Sequence, residues 1–145
     1  MNVKDYNNPS YLFFEACIDV ALLPKYQDEY SDLITMSIGD FDSILMQVPV
    51  NEDGMFVALA CHYHVDTPWE ECNEEPWEVD ELELSLSQLL YVKESFKNNK
   101  VKSDYLDANT NTVVNEKLSQ ICEDMCFIFS EAIKTGGKVY IRYYY

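Results

Sequence analysis

The spacing of apolar positions along the chain changes several times, and each change marks an element. Asn8 followed by Pro9 fits an N-cap with proline at the first helical position, and "YLFFEACIDVALL" then runs to Pro24, which would stop a helix. The same stretch alternates as Phe14, Ala16, Ile18, Val20 and Leu22, so helix is favoured and strand stays open. Three segments of strand type follow: "LITMSI" (33–38), "SILMQVPV" (43–50) and "MFVALACHYHV" (55–65). The short connectors "GDFD" and "NEDG" between them predict an antiparallel meander, with Asp40, Asp42, Glu52 and Asp53 at its ends.

Further on, Ser85 and Gln88 match a capping box, with Leu84 and Leu89 placed as its hydrophobic staple. The helix they open continues through "LSQLLYVKESFKN", with Leu86, Leu89, Leu90 and Phe96 on its buried side. A polar connector, "NNKVKSDYLDANTNT", leads to a longer helix from about Val113 to Lys134. Val114, Leu118, Ile121, Met125, Ile128 and Ala132 form its apolar stripe, and Gly136-Gly137 ends it. "KVYIRYYY" closes the chain as a strand, with Val139, Ile141 and Tyr143 alternating against Tyr140, Arg142 and Tyr144. The fold class predicted is α+β: a mostly antiparallel sheet, a three-strand meander plus a C-terminal strand, with helices packed on one face. At 145 residues, the expectation is a single domain spanning 1–145.

Composition narrows this picture. Hydrophobic residues make up 48% and aromatic residues 14%, which excludes a disordered acidic tail. The N-terminus has no apolar run of signal-peptide type, and Glu15 and Asp19 interrupt the most apolar early stretch, so neither secretion nor a membrane span is expected. The odd set of cysteines, at 17, 61, 72, 122 and 126, fits reduced thiols in a cytoplasm better than a disulfide framework.

Charge is the unusual quantity. The formal net charge is −16, and no Lys or Arg occurs from Tyr26 to Val92, where sixteen acids and two histidines lie. A field of that sign repels nucleic acid and anionic membranes and attracts a cationic partner.

Catalytic chemistry finds little support. "CHYH" suggests a metal: on a strand, His62 and His64 share a face, and Cys122 and Cys126 share a helix face and could complete a zinc site. Their spacing matches no zinc module, and cysteine on a buried stripe serves as a small hydrophobe. Cys61 beside His62 would be separated from it by strand alternation, and Asp40 and Asp42 form a lone D-x-D that reads as a turn. With four glycines in all, nucleotide-binding turns are excluded in practice, so no enzyme, cofactor or metal is expected.

"TPWEECNEEPWEVDELELS" (67–85) remains, with eight carboxylates, both tryptophans of the chain and no base. Tryptophan supplies interface area, while carboxylates steer and select a basic partner. Trp69, Glu70, Glu71, Glu74, Glu75, Trp77, Glu78, Asp80 and Glu81 are the candidate partner-binding residues, with Trp77 the expected outward anchor and a structural strap the competing role of the tryptophans.

With its base-free window and its "WEECNEEPWEVDELE" loop, the chain resembles bacterial immunity proteins of the contact-dependent inhibition and colicin-like type. The resemblance is one of overall profile. It implies a cytoplasmic protein that binds and neutralises a cognate cationic toxin domain, commonly a nuclease, with no direct nucleic-acid binding. The runner-up is a nucleic-acid mimic from a phage or mobile element, with its acids spaced along a long face. A metal- or thiol-dependent enzyme is the third class.

Overall fold

A computed structural model describes residues 2–6, 17–62, 76–98 and 112–144. In chain order the elements are β1 (Asn2–Asp5), β2 (Cys17–Leu23), β3 (Asp32–Ser37), α1 (Ile38–Leu45), a short 3-10 helix (Ala58–His62), β4 (Trp77–Glu78), α2 (Leu82–Lys97), α3 (Thr112–Thr135) and β5 (Lys138–Tyr144). The sheet has five strands in the order β1-β3-β2-β5-β4, antiparallel throughout except for the β1–β3 pair. The fold is α+β, with a mostly antiparallel sheet and the helices packed against it.

Within that class, several elements differ from the sequence expectation. Residues 17–23 form a strand, not the favoured helix; positions 11–16 lie outside the described residues. The alternation decides the outcome: Ile18, Val20 and Leu22 face the helices, while Asp19 and Ala21 are buried on the reverse face. A central strand is covered on both sides, so it reads as a continuous apolar run that imitates a buried helix.

The meander is also replaced. β3 occupies the first predicted strand, but "GDFD" opens α1 instead of turning the chain. The Ser37 side chain accepts a hydrogen bond from the Asp40 backbone N–H at 3.1 Å and caps the helix, and Ile38, Phe41, Ile44 and Leu45 are its buried positions. That is helical spacing, which overrides the β propensity of "SILM". "NEDG" does form a turn: the Gly54 N–H donates to the Asn51 carbonyl at 2.9 Å, and Gly54 has φ +75°. In the third predicted strand, residues 55–57 take no regular structure and Ala58–His62 is a 3-10 helix; positions 63–65 lie outside the described residues.

The core sits between the sheet and α3. Leu118, Ile121, Met125, Ile128 and Ala132 pack with Ile18, Val20, Ile34, Met36, Val139 and Ile141 in one cluster, as the predicted stripe requires. Burying each of the larger side chains contributes about 1.5–3 kcal/mol. At the C-terminal end of α3, Gly136 adopts φ +72° and the Gly137 N–H donates to the Ala132 carbonyl at 2.9 Å, closing a Schellman cap. Gly137 also passes so close to β2 that a Cβ would lie 2.6 Å from the Leu23 carbonyl oxygen.

Two buried carboxylates tie elements together, one between the layers and one within the sheet. Asp124 of α3 accepts from Lys4 at 2.7 Å, from Tyr6 and from Gln120 at 3.2 Å, which fixes β1 to the helix layer. Asp19, in the central strand, accepts from the Thr35 hydroxyl at 2.7 Å and from Arg142 at 2.8 Å, its register partners on β3 and β5.

The Asp19 carboxylate is 6% exposed, so removing its charged partner leaves a buried charge. Arg142→Met should lower the unfolding free energy by about 2 kcal/mol in urea titration. Adding Asp19→Asn should restore part of that loss, because no buried charge is then left without its cation. An additive double variant would contradict this account.

Candidate functional site

Five of the nine residues assigned to partner binding, Trp69, Glu70, Glu71, Glu74 and Glu75, lie outside the described residues. Trp77, Glu78, Asp80 and Glu81 form one corner of the molecule, where β4 turns into α2.

The two residues of β4 pair with Ile141 and Tyr140 at the edge of the sheet. Alternation divides them. Trp77 shares the face of Ile141, packs against the core half-buried, and stacks on His62 with ring centroids 5.3 Å apart at 28°. The expectation of an outward-facing Trp77 is therefore corrected: this indole anchors the corner, because its strand position turns it toward the helices. Glu78 points to the other face, is exposed, and meets Lys138 at 2.9 Å.

The next residues reverse the chain. Val79 is buried and its N–H donates to the Val139 carbonyl at 2.8 Å. Glu81 takes the left-handed conformation, φ 53° and ψ 59°, at the N-cap of α2 and makes no side-chain cap. A non-glycine residue in that conformation stores about 1 kcal/mol of strain. Asp80, Glu81 and Glu83 are exposed and have no base partner among the described residues. A helix N-terminus favours acids, which accounts for Glu83. It does not account for Glu78 or for the density of the run at 70–75.

The capping box assigned to Ser85 and Gln88 is likewise replaced. The helix starts three residues earlier, at Leu82, and both side chains are buried. They hold the 3-10 segment: Ser85 Oγ accepts from the Leu59 N–H at 3.0 Å, Gln88 Oε1 accepts from the Ala60 N–H at 3.3 Å, and Gln88 Nε2 donates to the Val57 carbonyl at 2.9 Å. An irregular buried backbone has to find such partners. The signal was in the pattern, since Ser85 and Gln88 fall on the same side as Leu89, Val92 and Phe96, where a capping residue would not be buried. Leu90, expected inside, is 48% exposed.

The stitched segment carries Cys61 and His62. Partial burial, then the charges of Asp80 and Glu81, push the Cys61 thiol above its usual range, so it stays protonated and is a poor nucleophile at neutral pH. Burial lowers the His62 imidazole to about 4, with the Asp80 carboxylate opposing. Cys126 is raised to about 11, with burial the largest cause, and buried Cys122 is raised as well. No group of three metal-ligating side chains occurs among the described residues, and His64 lies outside them. Asp40 and Asp42 sit on α1, where Asp40 meets Lys117 of α3 at 2.8 Å.

No protein-family model, no curated protein and no solved structure matches the chain. Among the described residues, no helix is long and apolar enough to cross a membrane.

His62 yields a pH dependence. Its ordinary value is 6.5 and burial holds it near 4 in the folded chain, so the unfolded state binds more protons between those values. This contribution to stability is complete above about pH 6.5 and is lost as the pH falls toward about 4, by up to about 3 kcal/mol. Urea unfolding at pH 7 and pH 5 should show the loss in the parent chain. His62→Phe, which keeps a ring on Trp77, should show a shallower dependence. Equal slopes would contradict this assignment.

Proposed function

We propose that this chain is a cytoplasmic immunity protein that binds a cognate basic toxin domain, a nuclease by preference, and neutralises it through its acidic surface. The observation that carries this reading is the corner at 78–83. Glu78, Asp80, Glu81 and Glu83 are exposed together, directly after the densest acidic run, on backbone fixed by buried Val79 and Ser85. These acids lie close to the stitched segment: burial first, then Asp80 and Glu81, raise the Cys61 thiol, and Asp80 opposes the lowering of His62 by burial.

A net charge of −16 makes nucleic acid an unfavourable partner and a phosphate-binding protein a favourable one. Carboxylates displayed on a rigid edge steer such a partner and reject neutral or acidic ones. No chemistry at the corner is required: the thiols are protonated and the imidazole is buried. The part played by Glu70, Glu71, Glu74, Glu75 and Trp69 belongs to the same proposal, as a continuation of the corner's charge.

The test begins with rescue. Co-production of this chain with the C-terminal domain of the protein encoded immediately upstream should restore growth to cells which that domain otherwise kills. With the purified pair, association should slow as salt rises. The quadruple change Glu78→Gln, Asp80→Asn, Glu81→Gln, Glu83→Gln should reduce the on-rate by roughly tenfold and leave dissociation nearly unchanged. A salt-independent on-rate, or an upstream domain with no toxicity, would overturn the reading. Inhibition of DNA-binding enzymes at large, with no preference for one protein, would point to a nucleic-acid mimic instead.

A further inference from the structure

A second surface lies at the opposite edge of the sheet from the acidic corner, where β1 and β3 meet α3. A cleft of about 550 Å³ opens there, lined by Lys4, Asp32, Glu123, Asp124, Phe127 and Ile128 among others. Its size is in the range of small-ligand pockets. We infer that this cleft receives a lysine side chain of the basic partner, with the alkyl stem on Phe127 and Ile128 and the ammonium between Asp32 and Glu123. The inference deepens the reading of this chain as the inhibitor of a basic protein, and rests on it for the source of the lysine.

Three observations support this occupant. First, the cleft is apolar where a stem would lie: Phe127 is 56% exposed, in contrast to the apolar residues around it on α3, and Ile128 is buried beside it. An exposed phenylalanine that forms the wall of a cleft gains most when covered. Second, the charge is of one sign once internal pairing is counted. Lys4 is taken by Asp124 at 2.7 Å, and Asp124 also accepts from Tyr6 and Gln120, so its oxygens are occupied.

Asp32 and Glu123 are held only loosely: Asp32 has Ser31 at 3.5 Å, and Glu123 has Lys93 at 3.8 Å with its own side chain 57% exposed. Two loosely held carboxylates beside hydrocarbon match a cation on a stem better than an anion or a neutral group. Third, an ammonium–carboxylate pair already bridges strand and helix at the wall of the cleft: Lys4 of β1, its side chain 56% exposed, meets Asp124 of α3 at 2.7 Å.

Guanidinium is a poorer fit. Its planar fork prefers one carboxylate approached with two N–H groups, whereas the cleft offers separate carboxylates on β3 and α3, suited to the rotatable donors of an ammonium. The cleft and the acidic corner lie at opposite ends of the strand order, four interstrand spacings or roughly 20 Å apart.

The experiment follows backbone amide signals of the full, isotopically labelled chain by NMR while a blocked Gly-Lys-Gly peptide is added. The same peptide with norleucine for lysine, and free cadaverine, serve as comparisons. Saturable shifts should concentrate at residues 32–34 and 120–128, with the lysine peptide binding at least about tenfold more tightly than the norleucine one. The double variant Asp32→Asn, Glu123→Gln should abolish that preference, and Phe127→Ser should weaken both peptides. Both carry surface changes, and unchanged signals elsewhere confirm the fold.

Shifts spread evenly over the acidic surface, or a preference that survives the double variant, would overturn the inference. So would cadaverine binding the cleft more tightly than the peptide, which would make it a polyamine site. Failure of the toxin reading shows separately, as loss of rescue and of salt-dependent association with the cleft still taking the peptide.

Discussion

Asp19 is the constraint on which the sheet depends. It is a carboxylate in the central strand of five, almost fully buried, flanked along the chain by Ile18 and Val20 of the core. The observed pairing of β2 gives it partners on both sides, Thr35 on β3 and the cation of Arg142 on β5. A slip of one residue would turn Asp19 into the apolar layer and bring Ile18, Val20 and Leu22 out of it. The charge therefore penalises wrong registers more than it stabilises the right one, which is a use of buried ion pairs with physical support. Asp19 ties β3 and β5 to the central strand, while β1 is placed by pairing with β3 and β4 by pairing with β5.

The bases of the chain follow the same economy. Half of the ten lysines and arginines form ion pairs among the described residues, and every one of these pairs joins two different elements: β1 to α3, α2 to α3, α3 to α1, β5 to β4 and β5 to β2. The more exposed of these pairs, Lys93–Glu123 and Lys138–Glu78, contribute about 0–1 kcal/mol each, so their effect is on placement more than on stability. Half of the positive charge is thereby held in internal ties, and Asp80, Glu81 and Glu83 are among the exposed acids with no such tie among the described residues. Burial of Phe41, Phe96, Phe129 and the aliphatic core offsets the self-repulsion that such a surface brings.

Legibility in the sequence tracked the reach of the forces involved. The stripe of α3, its glycine stop, β3 and the alternation of β5 are set by local periodicity and were readable; so was the α+β class. The first apolar segment was not, because a strand buried on both faces loses the polar alternation that distinguishes it, and Asp19 looked like an interruption when it was a cross-strand partner 16 residues from Thr35 and 123 from Arg142. α1 was missed because Asp40 and Asp42 were weighed as turn residues; the serine before them, a cap, was the better signal. Ser85 and Gln88 were noticed for the right chemistry, binding of free backbone groups, but assigned to the wrong backbone, since the segment they serve is 26 to 31 residues away. At the site, the acids could be read directly, whereas the inward face of Trp77 depended on a two-residue strand pairing that no local pattern specifies.

Charge and contact have different tasks on such a surface. Carboxylates at the corner act over about a Debye length and determine how fast a cation arrives, but an exposed acid returns little once water can reach it. Lasting affinity has to come from groups that lose water on contact. Trp77 supplies part of that area only, because its ring packs partly against the core and stacks on His62. Four of the exposed large apolar side chains among the described residues stand on the helix layer, Leu84, Leu90 and Tyr91 on α2 and Phe127 on α3, each with a glutamate close by in the chain. Val3, Tyr26, Val50 and Met55 lie off those helices. On the proposed reading, a partner drawn in by the acidic edge reaches the hydrocarbon of α2 and α3 by also covering those helices. Such an arrangement would suit a broad, basic protein surface better than a narrow polyanion-binding groove, which would engage the carboxylates and leave those apolar residues wet.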